Sequence, residues 1–184
     1  YNLMKNILFV CTGNSARSII AESIINKYHK EKFNAFSAGS NPKNDINEAV
    51  KLYLETLNYD LSKSYPKSFK EFLNSKIEID YVITVCSNAH NEICPIWPNQ
   101  KRIIHWEIED PVIKINEMSK KIHQENVKFT EEYWKSRSQP PELKKTLMIN
   151  PDSVMKSAIN MQKIVSDTCK TINNKISEFI KNEE

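Results

Sequence analysis

An apolar strand pattern, a short turn and a helical pattern follow one another without a break between residues 6 and 25. Asn6-Ile7-Leu8-Phe9-Val10 has the length and composition of a buried strand. Ser18-Ile19-Ile20-Ala21-Glu22-Ser23-Ile24-Ile25 reads as a helix, with Ser18 near its cap. Only Cys11-Thr12-Gly13-Asn14-Ser15-Ala16-Arg17 joins them. So short a join commits the chain to a layered α/β arrangement with the turn at the carboxyl end of a strand. Such a turn, with the helix N-terminus behind it, aims backbone N–H groups at an anion. Thr12, Gly13, Asn14, Ser15, Ala16 and Arg17 are therefore the candidate oxyanion cradle. Cys11 is the candidate nucleophile, and the same positive surroundings are expected to lower its thiol pKa. Arg17 supplies a planar fork that grips two oxygens and stays charged near neutral pH. Gly13 and Asn14 tolerate the backbone conformations a cradle demands.

Gly13 and Gly39 are the only glycines among 184 residues, which marks each as a position that needs glycine. Gly39 closes Ser37-Ala38-Gly39, after a second strand over 33–37. Residues 18–30 form the first helix, with Ile20, Ile24 and Tyr28 along one stripe. A helix over 46–57 would present Ile46, Ala49, Val50, Tyr53 and Leu57, and a short one covers 68–74. Tyr81-Val82-Ile83-Thr84-Val85 is a β-branched third strand, and Ile103-Ile104 a short fourth. From Val154 a last helix repeats Ala158, Met161, Val165, Ile172, Ile176 and Phe179 at three- and four-residue steps, with Cys169 a packing residue beside them. The expected fold is a four-stranded, mostly parallel sheet flanked by helices on both faces. Residues 1–184 are expected to be one domain, with 112–150 a helical insertion before the last helix. That insertion reads as a solvated segment, with a lid or an oligomer contact as the alternative.

With 40% hydrophobic and 27% charged residues, the composition is that of a globular protein. A net charge of +3, with scattered lysines, excludes a nucleic-acid stripe. No apolar run approaches the roughly 20 residues of a membrane helix. No signal peptide is visible, so a cytoplasmic location is expected, and with it cysteines that are reactive rather than a disulfide framework.

Cys86 and Cys94 bracket Ser87-Asn88-Ala89-His90-Asn91-Glu92-Ile93 after the third strand. The spacing is too wide for a redox Cys-x-x-Cys pair, and His90 lacks the further ligand pair that zinc needs. Two thiols on a mobile segment suit a disulfide relay: one attacks an intermediate at the cradle, and the other carries the disulfide to the surface. In His105-Trp106-Glu107-Ile108-Glu109-Asp110-Pro111, an acid could protonate a departing oxygen. Pro111 favours Asp110 weakly over Glu107 and Glu109, while His105 and Trp106 read as packing residues.

These segments together resemble the low-molecular-weight phosphatase superfamily and, within it, the cysteine-relay arsenate reductases. The resemblance runs from residue 5 to about 111 and resumes in the last helix. It rests on Ile7 to Ser18 with Ala21-Glu22, Ser37-Ala38-Gly39, Cys86 to Pro98, and His105-Trp106 with Asp110-Pro111. It implies that Cys11 attacks arsenate, Arg17 binds its oxygens, Asn14 shapes the loop and Ser18 hydrogen-bonds the thiolate. It implies Asp110 as the acid for the leaving oxygen. Cys86 would then attack Cys11, releasing arsenite, and Cys94 would attack Cys86 to leave a disulfide for thioredoxin or a similar dithiol protein. No cofactor is implied, because thiols carry the electrons. Some relatives hold a structural potassium ion at positions matching Asn14, Glu22 and Ser37. The alternative is a tyrosine phosphatase working through a Cys11 phosphoenzyme, and residual phosphatase activity is expected of either. The chain departs from the thioredoxin-coupled pattern by one extra residue between Cys86 and Cys94, by Ile19, and by the length of 112–150. Val112 after Asp110-Pro111, where the phosphatase branch has tyrosine, weakens the alternative.

Overall fold

A computed structural model describes residues 4–93, 96–98, 102–135, 137 and 146–183. Strands β1 (Lys5–Cys11), β2 (Phe33–Gly39), β3 (Tyr81–Thr84) and β4 (Ile103–His105) form one sheet in the order β2-β1-β3-β4. Every pairing is parallel, and the register sets Cys11 against Gly39 and Val10 against Thr84. In β1, Ile7 through Cys11 are all buried. Successive strand residues point to opposite faces, so both faces are covered, as a parallel sheet requires. Burying each of Ile7, Leu8, Phe9 and Val10 contributes about 1.5–3 kcal/mol. The order places β2 on one side of β1 and β3 on the other. Their carboxyl ends open the crevice where ligands bind in such sheets.

Six helices accompany the strands among the described residues: α1 (Arg17–Tyr28), α2 (Glu48–Thr56), α3 (Lys70–Leu73), α4 (Ser87–Ile93), α5 (Pro111–Lys135) and α6 (Pro151–Glu183). The chain divides into two compact units, residues 1–111 with 165–184, and residues 112–164. In the first, Val165, Ile172, Ile176 and Phe179 of α6 are buried, and Phe179 meets Phe33 and Tyr81. In the second, α5 is tied to the segment leading into α6 by Asn126 Oδ1, which accepts from Asn150 N, and by Thr130 Oγ1, which accepts from Met148 N. That unit extends past the expected bound at 150 to Ile164.

Several details differ from the sequence expectation. Ser18 is not a cap: α1 begins at Arg17 after Ala16, and Ser18 is fully buried inside it. Tyr28 leaves the expected stripe and is exposed, edge-on to Tyr59. Asn47 caps α2, accepting from Ala49 N and Val50 N, and the helix buries Val50 and Leu54 rather than Leu57. The segment after Cys86, expected to be mobile, is helical over 87–93 with Ala89 and Ile93 buried. In α6, Val154 and Ala158 are exposed while Ser153 and Ser157 are buried.

Candidate active site

The turn between β1 and α1 is a ring of peptide units held from outside. The carbonyls of Cys11, Thr12, Gly13 and Ser15 accept from the backbone N–H groups of Ser40, Asn41, Lys43 and Asn47, at 2.9–3.1 Å. With no cis peptides among the described residues, each N–H of the turn points away from the carbonyl of its own peptide unit. The N–H groups of Thr12, Gly13, Asn14 and Ala16 therefore face the side opposite that anchoring segment. Asn14 N–H donates to Cys11 Sγ at 3.1 Å. Helix α1 starts immediately afterwards, adding its positive end.

The glycines act differently from the expectation. Neither has positive φ; the left-handed residue of the turn is Asn14, at 47°. Gly39 is required by space: a Cβ there would lie 2.6 Å from the Thr12 carbonyl oxygen. A Cβ on Gly13 would meet the flexible Lys43 side chain at 3.2 Å and Ser15 Oγ at an ordinary 3.5 Å.

Cys11 is 3% exposed, and its Sγ lies 3.0 Å from Ser18 Oγ. The direction of that bond follows from its neighbours. Lys67 N–H donates to Asn14 Oδ1 at 2.8 Å, which orients the Asn14 amide. Asn14 Nδ2 then donates to Ser18 Oγ at 2.9 Å and to Ser37 Oγ at 3.0 Å. Ser37 gives its single hydroxyl proton to Glu22 Oε2 at 2.7 Å. The Ser18 proton is left to point at Cys11. Burial nevertheless pushes the Cys11 thiol up, and the Ser18 hydroxyl, the Arg17 guanidinium and Asn14 N–H pull it down. The net direction is upward, so the expected lowering is opposed, and outweighed, by desolvation.

Arg17 Nη1 donates to the Ile108 carbonyl and Nη2 to Asp110 Oδ2, both at 2.9 Å. Of the three acids left open by the sequence, Asp110 is thus the one paired with the cradle arginine. Glu107 accepts instead from His105 Nε2, at 3.0 Å, and from Ser87 Oγ. Those two partners hold its carboxyl below the usual range. His105 stacks on His90, and both rings reach Thr84 Oγ1 through Nδ1. Trp106 is buried against Phe9 and Phe179. Cys86 is 6% exposed, and its Sγ lies 3.4 Å from Thr12 Oγ1. Cys94 lies outside the described residues. Cys169 lines a cavity of about 370 Å³ with Ile24, Tyr53 and Tyr59, and burial pushes its thiol up to about 12.

Asn14, Glu22 and Ser37, the positions matching those where some relatives hold a potassium ion, are bonded directly to one another or through Ser37. The Lys67 ammonium donates to the Ser37 carbonyl at 3.2 Å; burial pushes the Glu22 carboxyl up, and Lys67 is the foremost of the groups that oppose it. A positive charge is therefore already built into this place, and these residues do not fit an added cation. Among the described residues no three His, Cys, Asp or Glu side chains converge as a metal site. None of their helices is long and apolar enough to cross a membrane. Lys67 escaped the sequence reading, because a lysine between Pro66 and Ser68 carries no motif.

A parallel sheet whose first strand ends in a buried thiol, ringed by amides and faced by an arginine, defines the class of cysteine-dependent phosphatase folds. The chain belongs to the low molecular weight phosphotyrosine protein phosphatase family, whose model matches residues 6–139. It is 36% identical over 107 residues to an arsenate reductase of Halalkalibacterium halodurans, covering 58% of this chain and 74% of that one. An arsenate reductase of Bacillus cereus is 36% identical over 111 residues, 60% of this chain and 79% of its own. Among solved structures, the low molecular weight protein tyrosine phosphatase of T. tengcongensis superposes with a TM-score of 0.50 at 20% identity. That match covers 91% of this chain and 99% of the other.

Proposed function

We propose that this protein reduces arsenate to arsenite through a thiol relay, in the cytoplasm, with Cys11 as nucleophile. The observation that carries the reading is the seat of Cys86 beside the cradle, its sulfur 3.4 Å from the hydroxyl of the residue that follows Cys11. A phosphatase that hydrolyses a phosphoenzyme has no use for a second thiol there.

In this reading the Cys11 thiolate attacks pentavalent arsenic while the loop amides of residues 12–16 and Arg17 hold the oxygens. Asp110 gives its proton to the departing oxygen, which leaves as water. The Cys86 thiolate then attacks Cys11 Sγ. The electron pair of the sulfur–arsenic bond passes to arsenic, which leaves as trivalent arsenite, and a Cys11–Cys86 disulfide forms. Both sulfurs are under 10% exposed, which keeps them from a protein reductant. Cys94 meets that need: its thiolate attacks Cys86 Sγ, frees Cys11 and leaves a Cys86–Cys94 disulfide. Thioredoxin or a similar dithiol protein returns the two electrons. The relatives named arsenate reductase support the substrate.

Cys11, Arg17 and Asp110 suffice for phosphotyrosine hydrolysis, and their grouping supports residual phosphatase activity. An assay coupling arsenate to thioredoxin, thioredoxin reductase and NADPH, run beside para-nitrophenyl phosphate hydrolysis, separates the readings. Arsenate-dependent NADPH consumption that vanishes in Cys86→Ser and Cys94→Ser is expected. Rapid ester hydrolysis with no such consumption would give the site to a phosphatase.

A further inference from the structure

Glu22 is a carboxylate buried behind the cradle, 6% exposed, and it ends the hydrogen-bond chain that begins at Cys11. Lys67 touches that chain at two points. Its main-chain N–H fixes the Asn14 amide, and its ammonium lies on the Ser37 carbonyl and over the Tyr65 ring, 4.4 Å from the ring centre.

We propose that Lys67 is a positioning residue for Cys11, supplying from within the chain the positive charge that Glu22 would otherwise draw from a monovalent cation in solution. An ionised Glu22 can only accept. Ser37 must then donate to it, both Asn14 Nδ2 protons go to serine oxygens, and the Ser18 proton is aimed at Cys11. A protonated Glu22 could donate to Ser37, and the direction of the whole chain would loosen. Burial pushes Glu22 towards that protonated form, and Lys67 opposes it, helped by the Ser37 and Ser64 hydroxyls. The charged groups facing these residues are few. Glu22 and Glu71 face Lys67, Arg17 faces Cys11 with Asp110 on its far side, and Lys43 lies along Gly13. The assignment rests on Cys11 being the nucleophile, and not on which oxyanion it attacks.

The test uses the full chain and follows iodoacetamide alkylation of Cys11 against pH, read by peptide mass so that the other cysteines do not intrude. Wild type is expected to give one profile in potassium chloride and in choline chloride at equal ionic strength. In Lys67→Met the profile is expected to move up by about one pH unit, making alkylation about tenfold slower below both midpoints. Potassium should move it part of the way back, and Lys67→Arg should keep the wild-type profile. Should Lys67→Met fail to fold, Lys67→Gln carries the same comparison. A Lys67→Met or Lys67→Gln profile that overlies the wild type, or a wild-type profile that itself moves with potassium, overturns the assignment. A Cys11 inert at every pH in the wild type overturns the proposed chemistry as well, and is told apart by that.

Discussion

Arg17 Nη2 and Asp110 Oδ2 are 2.9 Å apart, so the cation of the cradle and the acid proposed for the leaving oxygen hold each other. The Ile108 carbonyl takes the other edge of the guanidinium. In the proposed chemistry an oxyanion entering the cradle would compete with Asp110 for Arg17 and so free the carboxyl for the departing oxygen. The side chains are 11% and 29% exposed, so the arginine is the more buried partner.

Asp110→Asn keeps the shape and removes the proton. Loss of general-acid assistance should lower kcat by about a hundredfold or more. The asparagine can still accept from Arg17, so KM should change far less. Steady-state kinetics with para-nitrophenyl phosphate read the split directly. A kcat within a factor of about three of wild type would remove Asp110 from the chemistry.

Ser18→Ala deletes the hydroxyl that donates to Cys11 Sγ. Burial already pushes this thiol up, and Ser18 is the first of the groups that oppose it. With that donor gone the sulfur keeps its proton to higher pH. The acid limb of the pH–rate profile should therefore move upward, by about one pH unit. At a pH below both midpoints, turnover falls about tenfold, and at high pH it returns towards wild type. A uniform loss at all pH values would mean that Ser18 matters only for packing.

Gly39→Ala should be damaging although Gly39 lies at the end of β2, outside the turn over 11–17. Its Cβ would stand 2.6 Å from the Thr12 carbonyl and 3.0 Å from Asn14 Cβ, atoms held by the cradle itself. Overpacking of this kind costs about 1–3 kcal/mol, and relief requires the loop to move. Thermal unfolding should show the destabilisation and turnover should fall with it. Gly13→Ala, which meets only the side chains of Lys43 and Ser15 at 3.2 Å or more, is the matched comparison and should unfold close to wild type.

What could be read from the sequence was whatever lies within one short stretch. Cys11 to Arg17 sit between two periodic elements, so the strand, turn and helix were visible together. Residue spacing alone left Asp110 as one of three acids, and the family resemblance singled it out; its pairing with Arg17, 93 residues away in sequence, carries no local signal. Ser18 read from its position alone only as a near-cap residue; its bond to Cys11 followed from the family resemblance, and the Asn14–Ser37–Glu22 chain behind it carried no sequence signal. Lys67 was invisible because half of its contribution comes from a backbone N–H, which no side-chain pattern marks. The periodicity of α6 runs on past the point where its surroundings change. Its apolar stripe is buried from Val165 onward but not at Val154 and Ala158.

The relay itself is tested most directly by one single-turnover experiment on Cys94→Ser. Mixed with arsenate and no external thiol, this variant should release one arsenite per protein and then stop. Peptide mass mapping should find Cys11 joined to Cys86. Arsenite release without that disulfide, or no arsenite release from a protein that still hydrolyses para-nitrophenyl phosphate, would contradict the relay.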